Sequence, residues 1–481
     1  MNLRRVLHIL GLVLFILAGA QLLPLGWCLE GGESRAAVGF LAGAASAGLL
    51  GLCMRFVGHA EGELYRREGV LIVVGAWVLA SVAGAIPYVV SGVLPGIADA
   101  LFESASGFTT TGATVLTDIE AAGRPILFWR SFTQWLGGIG IVVLFVALLS
   151  ELGPGARFLF KLEVPGPKAE VLRARVQDTA RALAQIYLAL SVAEVVLLLA
   201  SGLGMFDALT HTFSTVSTGG FSPHSESISH FSSTVQIVVL VFMLAAGVNF
   251  SLYYFAMWRR PILTPLRDTE LRVYGVLLGV AVAAVVLDLS RSNEAPIARM
   301  LLDSMFQVVS ILTTTGYSTT DFSLWPDLSR SVLVALMIFG GCAGSTAGGV
   351  KVVRAIIGWK AAMREVRLTF NPNSVVAIVV GRDSVPEESV RSVIALLLLW
   401  IVGWGAGTVL LSIGDASLVT AATASIATLS NIGPGLAAVG PFGDFAFFAS
   451  WQKLLMVGLM LLGRLEFFAV LALFQSRFWR L

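Results

Sequence analysis

Charge is scarce in this sequence. Lys, Arg, Asp and Glu make up 13% of its 481 residues, about half the share usual in a soluble domain, which excludes a well-solvated globular fold. Its three cysteines, Cys28, Cys53 and Cys342, lie far apart, in or beside apolar segments. They offer neither a disulfide framework nor a thiolate metal site. The five histidines (His8, His59, His211, His224, His230) form no His-Glu-x-x-His motif and no paired carboxylates accompany them, so the signs of an intramembrane enzyme are missing. They read instead as interfacial polar residues. The run ending Gly349-Val350-Lys351 lacks the Gly-Lys-Ser/Thr close of a phosphate-binding loop, and no strand precedes it. A formal net charge of +2 gives no reason to expect nucleic acid as a partner.

What the chain has in quantity is apolar length. It is 56% hydrophobic, with a mean hydropathy of +0.85. A bilayer span needs about 20 mostly apolar residues. Ten stretches qualify, approximately 6–28, 36–57, 69–93, 125–150, 181–203, 232–257, 271–290, 330–350, 390–412 and 448–475. Arg4 and Arg5 before the first run imitate a signal peptide, but that run is long and no clear cleavage site follows, so it reads as a retained helix. The expectation is an all-α polytopic membrane protein with about ten spans.

Four short loops between these spans look like copies of one another. They are Thr109-Thr110-Thr111-Gly112, Val216-Ser217-Thr218-Gly219, Thr313-Thr314-Thr315-Gly316 and Ser430-Asn431-Ile432-Gly433, with final glycines 107, 97 and 117 residues apart. In the second loop Gly219, the first of a doublet with Gly220, is taken as the filter glycine. Each loop follows a segment too short to cross a bilayer as a helix, which suits a re-entrant pore helix beside a hydrated cavity. Asp99, Asp303 and Thr420 lie 13 residues before their loop glycine, and Asp207 lies 12 before Gly219. All are good N-cap residues, so each is expected to start a pore helix. The implied organisation is a two-helix hairpin over 1–67, then four pseudo-fourfold repeats of helix, pore helix, filter and helix over 68–157, 158–260, 261–370 and 371–481.

Charge sets the expected orientation. Arg4, Arg5, Arg55, Arg66, Arg67 and the basic residues of 157–181, 259–272, 351–391 and 477–480 fall on one side, 24 of the 32 Lys and Arg. The positive-inside rule places that side, with both termini, in the cytoplasm. Arg35, Arg124, Arg130, Arg291, Arg299 and Arg330 fall on the other, while Lys453 and Arg464 fall within a span. All four loops then open outward, near Asp118, Glu120, Glu226, Asp321, Asp327 and Asp444.

Such loops suit a dehydrated cation, whose water is replaced by oxygen ligands. The candidate ligands are Thr110, Thr111 and Gly112; Ser217, Thr218 and Gly219; Thr314, Thr315 and Gly316; and Asn431, Ile432 and Gly433. Glycine permits the dihedrals that successive inward carbonyls require, and pore helices turn their negative ends inward. None of the loops is a Thr-Val-Gly-Tyr-Gly run, so the ring is expected to be shorter and less selective than a tetrameric potassium channel. Below it the second helix of each repeat is expected to be interrupted, at Gly137-Gly138-Ile139-Gly140, Gly247, the run 340–349 and Gly463-Arg464. Gly340, Gly341, Gly344, Ser345, Thr346, Ala347, Gly348 and Gly349 form a candidate gate. Arg464, costly at mid-membrane, is expected to face the pore beneath the filter and hold this run by its carbonyls. A buried ion pair with Glu466 or Glu194 is the competing arrangement.

Together these residues resemble the Trk/Ktr/HKT superfamily of potassium transporters, in its TrkH type because of the extra N-terminal hairpin. The marks are Thr110-Thr111-Gly112-Ala113, Ser217-Thr218-Gly219-Gly220-Phe221, Thr314-Thr315-Gly316-Tyr317, Asn431-Ile432-Gly433-Pro434-Gly435, the 340–349 run and Gly463-Arg464. The resemblance implies K+ uptake across a bacterial inner membrane and a homodimer. It also implies a TrkA-like cytosolic ring of nucleotide-binding (RCK-type) subunits, for which 351–367 and 157–181 are candidate docking loops. The glycine of the first filter, where Na+-permeable relatives carry serine, favours K+. No organic cofactor is expected in this chain. A Na+- or H+-coupled symporter with a closed midplane site is the alternative. Such folds often use inverted repeats, whereas these four loops share one side.

Overall fold

The computed structural model describes residues 1–59, 64–151, 176–258, 267–292, 296–381 and 383–479. The described residues are mostly helical. The N-terminal hairpin is α1 (Leu3–Ala20) with the short α2 (Leu25–Gly31), followed by α3 (Ser34–Val57). It packs on the first repeat, where Gln21 Nε2 donates to the Ala83 carbonyl at 3.0 Å. One sequence of elements then recurs four times. Repeat one is α4 (Arg66–Ser91), α5 (Ile97–Phe108) and α6 (Arg124–Glu151). Repeat two is α7 (Val176–Ala200), α8 (Met205–Val216), α9 (Ser233–Ala246) and α10 (Phe250–Trp258). Repeat three is α11 (Thr269–Ser292), α12 (Ile297–Leu312), α13 (Asp327–Phe339) and α14 (Val352–Phe370). Repeat four is α15 (Glu387–Leu411), α16 (Leu418–Leu429), α17 (Ser450–Arg464) and α18 (Phe468–Leu473). A two-residue strand pair, Val379–Val380 against Asp383–Ser384, precedes α15.

Among the described residues, six helical segments are long and apolar enough to cross a membrane: α1 with α2, α3, α4, α7, α11 and α15. The other four apolar stretches hold α6, the broken pairs α9–α10 and α17–α18, and α13 with the glycine-rich run. The chain is therefore a multi-pass helical membrane protein. Two expected repeat boundaries, at 157 and 260, lie outside the described residues, as do Arg157, Lys161, Lys168, Arg173, Arg175, Arg259, Arg260, Arg382 and Arg480.

Two expectations are corrected. The four residues read as N-caps do not cap. Gly96, Gly204 and Ser417 do, leaving Asp99, Asp207 and Thr420 at the third helical position. Ser417 accepts a hydrogen bond from the Thr420 backbone N–H at 3.2 Å. In repeat three the helix begins earlier still, after Pro296, and Asp303 lies inside it. A carboxylate in the first turn faces the positive end of the helix dipole, so the residue type marks the helix start without occupying the cap. The second correction concerns α6, which runs unbroken through Gly137–Gly140. There the glycines serve close packing: a Cβ at Gly137 would lie 1.9 Å from the Phe108 carbonyl, and one at Gly138 would lie 2.5 Å from the Tyr187 hydroxyl.

Candidate functional site

Each pore helix ends in the same backbone figure. A C-cap residue (Thr109, Ser217, Thr313, Ser430) is followed by a left-handed residue: Thr110 at φ 53°, Thr218 at 54°, Thr314 at 57° and Asn431 at 55°. The next N–H reaches back to the helix, Thr111 to the Ser106 carbonyl at 2.8 Å, Gly219 to Ser214 at 2.7 Å, Thr315 to Ser310 at 2.9 Å and Ile432 to Ala427 at 2.8 Å. This is the Schellman close of a helix, usually made with glycine at the left-handed position. A β-branched threonine there stores about 1–2 kcal/mol of strain, which the surroundings must hold.

Two residues after each left-handed residue comes a glycine with positive φ: Gly112 (81°), Gly220 (77°), Gly316 (84°) and Gly433 (98°). The glycine of loop two that matches Gly112, Gly316 and Gly433 in backbone is therefore Gly220, one residue after the expected Gly219. Gly220 also lies 13 residues after Asp207, restoring the common offset. The physical reason for the doublet is Gln134 of α6. Its amide donates to the Gly219 carbonyl at 2.6 Å and its oxygen accepts from Phe221 N at 3.1 Å. A Cβ on Gly219 would lie 2.4 Å from that side chain. Gln134 thus fills the space that the side chains of Thr111, Thr315 and Ile432 fill in the other loops. Ser217 sits at the cap, its hydroxyl turned back to the Phe213 carbonyl at 2.7 Å.

The four loops close on one another. A Cβ at Gly112 would lie 2.1 Å from the Gly219 carbonyl, at Gly220 1.9 Å from Thr315, at Gly316 2.0 Å from Ile432, and at Gly433 2.8 Å from Thr111. The order one, two, three, four and back to one makes a ring with pseudo-fourfold symmetry. Asn431 Nδ2 ties loop four to loop one through Thr111 Oγ1 at 2.9 Å. Gly112, Gly220, Gly316 and Gly433 all line one cavity, together with Arg130, His224 and Asp444.

Behind the ring is a buried polar frame that the sequence did not disclose. Glu103 of α5 pairs with Arg130 of α6 at 2.7 Å, both wholly buried. Arg130 also donates to the Ser222 carbonyl at 3.2 Å and lies over the Phe221 ring, while Glu103 accepts from Val115 N at 2.9 Å. The pair therefore fastens the stretches that leave loops one and two. Arg130 had read as an ordinary outer charge. Removing one partner of such a pair strands the other, at about 3–5 kcal/mol. Arg130→Ala is accordingly expected to lower the melting temperature in detergent more than the paired change Arg130→Met with Glu103→Leu. Equal melting for both would remove the ion pair from the frame. His211 holds the corresponding place in repeat two, with Nδ1 on the Asp207 carbonyl at 2.7 Å and Nε2 on Ser222 Oγ at 3.2 Å. It is a buried strut rather than the interfacial residue expected. Lys453, within α17, pairs with Asp99 at 2.5 Å.

Below the ring, the second helices of repeats two, three and four are broken at 247–249, 340–351 and 465–467. The glycine-rich stretch has positive φ at Gly340, Gly344 and Gly349, and at Lys351. It bonds directly to loops three and four, Gly348 N donating to Thr314 Oγ1 at 2.6 Å and Gly349 N to the Ser430 carbonyl at 3.0 Å. Against repeat two, Cys342 N donates to the Gly247 carbonyl at 2.9 Å and Phe250 N to the Gly344 carbonyl at 3.0 Å. Glu270 of α11 accepts from Ala343 N at 2.7 Å and from Val353 N at 3.1 Å. Arg464 is buried at the end of α17 and donates to the Thr346 carbonyl at 2.8 Å and the Gly137 carbonyl at 3.5 Å. Of the two carboxylates weighed as its partner, Glu466 pairs with Arg354 at 2.5 Å. Glu194 is fully buried, with neither carboxylate oxygen hydrogen-bonded.

The geometry has relatives. The family model TrkH, described as a cation transport protein, matches residues 40–480. The chain is 38% identical to the Trk system potassium uptake protein TrkH of Halomonas elongata and 37% identical to that of Escherichia coli K12, in each case over the whole of both chains. Its fold is similar to the crystal structure of the potassium transporter TrkH from Vibrio parahaemolyticus, with a TM-score of 0.89 at 33% identity over the full length of both.

Proposed function

The chain belongs to the TrkH family of cation transport proteins, and from that premise we propose that it takes up potassium through the ring of four loops. The closed ring carries this reading: four copies of one helix-ending loop, each set against the backbone of the next, surround a common centre. The ligands would come from Thr110, Thr111 and Gly112, from Thr218, Gly219 and Gly220, from Thr314, Thr315 and Gly316, and from Asn431, Ile432 and Gly433. Gly219 contributes least, because its carbonyl is engaged by Gln134. The four pore helices end at this ring and add their negative ends to it. The stretch 340–349 and Arg464 act as the gate below, where the guanidinium repels a passing cation and holds the stretch across its path.

The partners and setting follow from the same premise. The protein resides in the inner membrane with both termini cytoplasmic, as the distribution of Lys and Arg favours. It works as a homodimer with a TrkA-like nucleotide-binding ring, and α14, whose basic residues include Lys360, Arg364 and Arg367, supplies part of the docking face.

Rb+ uptake into liposomes holding the purified chain tests the transport reading. Uptake is expected down an imposed gradient, with Na+ in excess competing measurably because each loop offers one filter glycine. No cation flux, with or without the regulatory ring, would sink the proposal.

A further inference from the structure

Two of the breaks beneath the filter face each other, and charged contacts cross between them in opposite directions. From repeat four, Arg464 reaches into the glycine-rich stretch and binds the Thr346 carbonyl. From repeat three, Arg354, in the first turn of α14, reaches back and binds Glu466 at 2.5 Å. Only Leu465 separates Arg464 from Glu466.

The break at 465–467 is strained. Glu466 and Phe467 both take positive φ, 58° and 55°, and neither is glycine; Phe467, with ψ −54°, lies outside the left-handed helical region as well. Such backbone persists only where the surroundings over-determine it. The Arg354 contact is a charge-assisted bond whose side chains are 6% and 18% exposed, strong enough to do this. On the other side, α14 is joined to the glycine-rich stretch as one body. A single oxygen of Glu270 accepts from Ala343 N in that stretch and from Val353 N in α14, and the Lys351 ammonium donates to the Ala347 carbonyl. Farther along α14, Trp359, Val366 and Phe370 are exposed, so its far end is open to contact from outside the bundle.

We infer that Arg354 and Glu466 are positioning residues: their ion pair sets the 465–467 break so that Arg464 rests on Thr346, and displacement of α14 withdraws Arg464 through that pair. This rests on reading 340–349 and Arg464 as the gate. Neither Arg354 nor Glu466 contacts the filter loops in the bonds described above. Their effect on conduction runs through the backbone that carries Arg464, and α14 is the lever.

Rb+ uptake by full-length variants in liposomes tests it. Glu466→Gln is expected to raise uptake about tenfold, the loss expected for one hydrogen bond to a charged group. In the Arg464→Ala background the same change should add nothing further. The exchange Arg354→Glu with Glu466→Arg should return uptake towards wild type. A merely structural pair would lower stability without this non-additivity or rescue. If Glu466→Gln fails to fold, Arg354→Lys, which keeps the charge and loses the fork, carries the same expectation. Unchanged uptake in Glu466→Gln beside raised uptake in Arg464→Ala overturns the positioning role alone. Unchanged uptake in Arg464→Ala overturns the gate reading, and the inference with it.

Discussion

Gly220→Ala is expected to cost this protein nearly all of its Rb+ uptake, and Gly219→Ala only part of it. At Gly220 the backbone sits at φ 77°, where an alanine pays about 1–2 kcal/mol. Its Cβ would lie 1.9 Å from the Thr315 carbonyl. That neighbour is backbone of the next loop, itself packed against loop four, so relief requires opening the ring. Uptake is expected to fall at least about a hundredfold, each tenfold step corresponding to about 1.4 kcal/mol. Gly219 lacks a positive φ, and its counterparts Thr111, Thr315 and Ile432 carry side chains. What an added Cβ meets is the Gln134 side chain, 2.4 Å away, which has rotamers to move into. A partial loss is expected there. Uptake assays with matched melting curves in detergent make the comparison, and a Gly219→Ala variant more damaged than Gly220→Ala would overturn the register.

Arg464→Ala is expected to move uptake the other way. The guanidinium spans from Thr346 of repeat three to Gly137 of repeat one, and under the proposed gate it would oppose a cation there with both charge and hydrogen bonds. Bonds from charged donors are worth about 1.5–3 kcal/mol each. Losing the 2.8 Å contact to Thr346 alone is expected to raise uptake about tenfold or more. The stretch would still hang from the filter by Gly348 and Gly349, so selectivity for Rb+ over Na+ should survive. Arg464→Lys keeps the repulsion but gives up the two-pronged reach and should fall between. Unchanged uptake with a lowered melting temperature would make Arg464 a structural residue only.

Several elements were legible because they are local. The break at 340–351 was readable from its glycines, since a cluster of them destabilises helix wherever it lies. The register of loop two was nearly so: the common offset from Asp207 pointed to Gly220, but pattern alone favoured the Ser-Thr-Gly match to Gly219. What settled it was Gln134, 85 residues away. Gly137–Gly140 misled for a related reason. Glycine in a helix serves unwinding and close approach equally well, and only the Phe108 carbonyl against Gly137 distinguishes the two. Glu103 and Arg130 gave no joint signal, because 27 residues and a loop separate them.

By itself the sequence determined a membrane protein of many helices, built from four copies of a unit that ends a short helix in a small polar loop. Scarce charge and runs of about 20 apolar residues are conditions the bilayer imposes on each segment separately. The tertiary structure alone decided which glycines meet at the ring, that Arg130 takes Glu103 and Arg354 takes Glu466, and that Arg464 reaches the Thr346 and Gly137 carbonyls. Those outcomes depend on contacts such as Thr111 with Asn431 and Arg354 with Glu466, across 320 and 112 residues. No local pattern encodes them, because each charge or amide had several chemically acceptable partners and only the packing of distant segments selects among them.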